Sequence, residues 1–72
     1  MAMSYNKLWK LMIDKKMNRT QLRKAAQISS NAMAKLGRDE AVNIAILGKI
    51  CSVLDCDFGD IVEYIKDGEE HD

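Results

Sequence analysis

Apolar residues recur along this chain at the three- and four-residue spacing of α-helices, in five runs separated by short polar breaks. The first run is Tyr5, Leu8, Trp9, Met12 and Ile13, one face of a helix predicted from Ser4, placed to cap it, to Lys16. Met17-Asn18-Arg19 interrupts the pattern, and Thr20 offers a hydroxyl to the free amides of a short second helix. Leu22, Ala25 and Ala26 share a face there, and the helix ends near Gln27. After Ile28, Ser29 can cap a third helix with Met33 and Leu36 inward and Ser30, Asn31, Ala34 and Lys35 on the opposite side. Gly37 is read as its stop, a residue free to turn left-handed, followed by the loop 38–42. Asn43 then caps a fourth helix with the stripe Ile44, Leu47, Ile50, Cys51 and Leu54, and Asp57 a fifth carrying Phe58, Ile61, Val62 and Ile65. No strand alternation of useful length and no repeat appears, so the expected class is all-α, a compact five-helix domain.

Charge changes the picture. The formal net charge is zero, but it is segregated. Residues 1–38 carry nine basic side chains against the single acid Asp14, a balance of +8, and residues 39–72 carry ten acids against Lys49 and Lys66, a balance of −8. Such asymmetry points to polyanion binding by the basic half. The expected domain is 1–66, with an acidic, disordered tail at 67–72, and His71 in that tail reads as a solvated residue.

Other chemistry finds little support. The 72 residues and 47% apolar content fit one domain with a modest core, and no apolar run approaches the roughly 18 residues of a membrane span. The first residues lack the apolar stretch and cleavage site of a secretory signal, so a cytoplasmic setting is expected, with Cys51 and Cys56 as free thiols. Neither cysteine has a basic partner nearby in sequence, and neither a glycine-rich phosphate loop nor metal-ligand spacing occurs. No catalysis, cofactor, metal or small-molecule substrate is expected.

The stretch RTQLRKAAQISSNAMAKLGR, residues 19–38, has the layout of a helix-turn-helix: two short helices, about three residues between them, and polar side chains outward on the second. With the amphipathic helix before it and the two helices after, it resembles the Cro/phage-repressor (XRE-type) helix-turn-helix proteins in their minimal single-domain form. The resemblance covers roughly residues 5 to 65, carried by Thr20, Leu22, Ala26, Ile28, Ser29, Met33 and Leu36. Gln27 stands where the family often has glycine in the turn, and Arg23 where it often has alanine.

The resemblance implies a lambda-repressor-like fold and a double-stranded DNA-binding regulator of transcription, of the repressor kind. Its recognition helix, at about 29–36, would enter the major groove. By position, Ser30, Asn31 and Lys35 are the expected base readers, with Asn31 suited to adenine and Lys35 to guanine. Arg19, Thr20, Arg38 and Asn43 are the expected phosphate contacts. Regulators of this kind commonly bind paired half-sites, which implies a homodimer with Tyr64 and the off-stripe Leu11 as candidate contacts, although a monomer or a weak dimer formed only on DNA fits the chain equally well. The competing reading is a protein-interaction or adaptor module on the same fold.

Overall fold

The computed structural model describes residues 2–66. The acidic stretch 67–72, with His71, lies outside the described residues. Four helices form among the described residues: α1 (Asn6–Asp14), α2 (Arg19–Ala26), α3 (Ser30–Gly37) and α4 (Ile44–Leu54). Two short strands, β1 (Ala2–Ser4) and β2 (Glu63–Ile65), bracket them in an antiparallel pair with Met3 opposite Tyr64. The class is that of a mostly helical helix-turn-helix domain.

The fifth predicted helix is not formed. Asp57 does cap a helical turn, accepting from the Phe58 amide at 2.8 Å while Asp60 accepts from the Asp57 amide at 2.9 Å, but the turn is a single 3-10 turn at Phe58–Asp60. The next residues include Ile61, Val62, Tyr64 and Ile65, β-branched or aromatic side chains at home on a pleated strand. Residues 63–65 turn extended because β1, four residues from the N-terminus of α1 at most, offers them a backbone partner. That pairing spans almost the whole chain and has no local signature.

Helix starts differ from expectation in two places. Ser4 lies in β1, buried, its hydroxyl accepting from the Asn6 amide at 3.3 Å, and α1 begins two residues later than predicted. The cap of α2 is Asn18, not Thr20: Asn18 Oδ1 accepts from the Gln21 amide at 2.8 Å, and Gln21 Oε1 accepts from the Asn18 amide at 2.9 Å. This reciprocal box satisfies two amides at once, which a single threonine hydroxyl cannot do. Thr20 is left exposed in the first turn. Ser29 and Asn43 cap α3 and α4 as expected, at 3.0 and 2.9 Å.

The core joins Tyr5, Leu8 and Met12 of α1 to Leu22 and Ala26 of α2, Ala32, Met33 and Leu36 of α3, and Leu47, Ile50 and Leu54 of α4, closed by Ile28 and Ile61. Of the larger residues assigned to apolar stripes, Trp9, Cys51 and Val62 only pack against its edge, and four are exposed: Ile13 (74%), Ile44 (65%), Ile65 (42%) and Phe58 (39%). Ile13 and Ile44 sit at helix ends, in the last two residues of α1 and the first of α4, where the stripe runs past its neighbours. Ala25, also placed on the inner face of α2, is exposed beside the buried Ala26. No helix among the described residues is long and apolar enough to cross a membrane.

Candidate nucleic-acid interface

The helix-turn-helix is built as the spacing predicts. Three residues, 27–29, separate α2 from α3, and Gln27 takes the left-handed conformation (φ 57°, ψ 46°) that glycine would adopt more easily. Ile28 then drops into the core, which fixes how α3 leaves the turn. α2 packs against both α3 and α4. The buried Ala32, Met33 and Leu36 hold one side of α3 down, leaving Ser30, Asn31 and Ala34 exposed and Lys35 half-buried.

Two concave surfaces flank the outer side of α3. One, of about 320 Å³, is lined by Ser29, Asn31, Ala32, Lys35, Ala41, Val42, Asn43 and Ile46, and brings Asn31 and Lys35 to the capped start of α4. The other, of about 210 Å³, is lined by Arg19, Thr20, Arg23, Ser30 and Met33. The structure therefore divides the expected contacts between two grooves, with Asn31, Lys35 and Asn43 in one and Arg19, Thr20 and Ser30 in the other. Arg23 joins the second group. Its sequence signal was its departure from the alanine common in the family, a departure that adds a positive charge to the cleft between α2 and α3.

Arg38 is placed differently from these. It follows α3 directly, and its guanidinium is engaged by Glu40, with Nε to Oε2 at 2.7 Å and Nη2 to Oε1 at 3.4 Å. The hydrogen bond from Arg38 holds the Glu40 carboxyl below its ordinary range, so the pair stays ionised at neutral pH. Gly37 is not the left-handed stop of α3 but its last residue, and Asp39 (φ 56°) makes that turn.

The loop after α3 is pinned by Tyr5. The Tyr5 hydroxyl donates to the Glu40 carbonyl at 2.8 Å, and the Tyr5 amide donates to Asp39 Oδ1 at 3.2 Å. The start of α1 thus fixes the loop that leads from α3 to α4, and with it the wall shared by Ala41, Val42 and Asn43. Trp9, expected in the core, is only half-buried, and the Arg19 guanidinium carbon lies 4.1 Å from its ring centre. Among the described residues no cluster of three or more potential metal ligands occurs.

Comparison with known proteins agrees with this geometry. The family model of the Cro/C1-type HTH DNA-binding domain matches residues 7–67. A solved structure of the transcriptional regulator VanUg is 48% identical in sequence, with a TM-score of 0.88, over 92% of this chain and 88% of that one. No curated protein matches the chain. With the family's motif formed at residues 19–37 and its model spanning nearly the entire sequence, the chain belongs to the Cro/C1-type helix-turn-helix family of DNA-binding transcription regulators.

Proposed function

We propose that this DNA-binding regulator reads a specific duplex site by laying α3 in the major groove and that it acts in the cytoplasm as a repressor. The observation that carries the reading is the placement of α3 between two grooves that carry Asn31, Lys35 and Asn43 on one side and Arg19, Thr20, Arg23 and Ser30 on the other, with its apolar side buried and Ser30, Asn31 and Lys35 on the outside. Asn31 has the paired donor and acceptor that match adenine, Lys35 donates to guanine acceptors, and Ser30 suits either. Arg19, Thr20 and Asn43 then face phosphates, and Arg38 can do so once it leaves Glu40. The protein binds paired half-sites as a homodimer; the exposed Tyr64 and Ile65 of β2 and the half-buried Leu11 of α1 offer the apolar surface for that contact.

The test is a comparison of a duplex selected from a random pool with bulk random duplex. The wild type is expected to prefer the selected site, and the double variant Asn31→Ala/Lys35→Ala to lose most of that preference, at about 1–3 kcal/mol per lost pairing. Preference retained in the variant would move the reading surface off α3. The mass of the complex on DNA, measured by analytical ultracentrifugation, should correspond to two chains per selected site, and one chain per site would remove the dimer.

A further inference from the structure

Arg19 opens α2 and lines the groove it shares with Thr20, Arg23, Ser30 and Met33. Its guanidinium lies over the Trp9 ring with the carbon 4.1 Å from the ring centre. On another side it meets Gly37, where an added Cβ would stand 3.0 Å from Nη1 and 4.0 Å from the guanidinium carbon. Among the described residues no carboxylate or carbonyl bonds its N–H groups, in contrast to Arg38, which Glu40 occupies.

A guanidinium held over an aromatic ring by cation–π attraction spends no hydrogen bond on the ring, and its planar fork can still offer a phosphate two donors together. The aromatic ring therefore restricts Arg19 without using up its hydrogen bonds. A long side chain already held in place loses less freedom on binding than one ordered by the ligand. Gly37 matters for the same reason, because a Cβ there would press on Nη1 at 3.0 Å and push the guanidinium aside by a few tenths of an ångström, and a longer side chain by more.

We propose that Arg19 is a preset clamp for a backbone phosphate of duplex DNA, with Trp9 and Gly37 as its positioning residues. The proposal rests on the reading of α3 as the DNA-facing helix, and it assigns the C-terminal end of α3 and the outer face of α1 a part in affinity that base contacts do not have. The clamp contributes to every duplex alike, since a phosphate carries no sequence information.

Binding of a labelled duplex by the full chain, followed by fluorescence anisotropy across a salt series, tests it. Arg19→Ala is expected to weaken binding about tenfold and to reduce the salt slope by about 0.9. Trp9→Ala is expected to weaken binding about two- to fivefold, Trp9→Phe to restore most of that loss, and neither to weaken it further in an Arg19→Ala background. Gly37→Ala keeps the fold testable where Trp9→Ala does not: alanine favours the helix, so the melting temperature should hold or rise while affinity falls. Equal losses from Trp9→Ala with and without Arg19, or an undiminished affinity in Gly37→Ala, would overturn the clamp while leaving the α3 reading intact if Asn31→Ala/Lys35→Ala still loses site preference. An Asn31→Ala/Lys35→Ala variant that binds and discriminates as the wild type does would overturn both.

Discussion

Each of the four helices is followed by a non-glycine residue in the left-handed region: Lys16 at φ 56°, Gln27 at 57°, Asp39 at 56° and Asp55 at 53°. Such residues cost roughly 1 kcal/mol each relative to glycine, lessened where the side chain is an aspartate that bonds locally. Asp39 is of that kind, since its carboxylate takes the Tyr5 amide. Gln27 has no such return, and Gln27→Gly is expected to raise unfolding stability by up to about 1 kcal/mol in a denaturant titration, with DNA binding unchanged. A second single-residue device is Glu40. Its two-point pairing with Arg38 neutralises a cation directly after α3, so Glu40→Gln should tighten non-specific duplex binding a few-fold and increase the salt slope by about 1, read by the same anisotropy series.

Among the elements, the caps decide where helices begin, and their side chains rank the sites. Asn18→Ala should destabilise the fold by about 1 kcal/mol through loss of the box with Gln21, whereas Thr20→Ala should change stability by a few tenths at most, in thermal or chemical melts. The reverse ranking would return the cap to Thr20. Most of the helical layout was legible locally, because a cap, an apolar stripe and a break are all written within a dozen residues. Ser29 and Asn43 illustrate this, each bonding the amide three residues ahead as its position foretold. The end of the chain was not legible in this way. Ile61, Val62 and Ile65 fit a helical period and a strand equally well, and the choice was made by β1, a partner some sixty residues away in sequence. Its three-residue strands would not hold alone and depend on Met3 and Val62 packing against the core.

Over the whole molecule, the +8 half is not one basic face. Lys7, Lys10 and Lys15 line a groove of about 400 Å³ with Asp14, Asp55 and Asp60, and Lys7 Nζ donates to the Gly59 carbonyl at 3.2 Å. These lysines share that groove with acids of both halves, while Arg19, Arg23 and Lys35 line the grooves around α3. Packing also sets the response to alkali. The left-handed turn at Asp55 lets the Cys56 amide bond the Cys51 carbonyl at 3.1 Å, bringing the two cysteines together at the end of α4. Burial, then the neighbouring Cys56, pushes the Cys51 thiol up to about 11, and burial, helped by Asp39 and opposed by the Val42 backbone, raises the Tyr5 phenol. In the unfolded chain both groups ionise at lower pH, so the folded state holds protons that the unfolded state has released. Stability should be full below about pH 9 and decline as pH rises through about 11, and Cys51→Ala should flatten that decline in melts taken at successive pH values.

The sequence by itself determined the four helices that form, the three-residue turn and the polar outer side of α3, because each depends on contacts within one or two helical turns, while the fifth run of apolar residues was misleading for lack of such a local signal. It also carried the family, through the packing residues of 19–38. Tertiary structure alone decided the pairing of β1 with β2, the exposure of Ile13 and Ile44, the division of the polar contacts between two grooves, and the stacking of Arg19 on Trp9 beside Gly37. Those features join residues from distant parts of the chain, and neither periodicity nor composition records which surfaces will meet once the core closes.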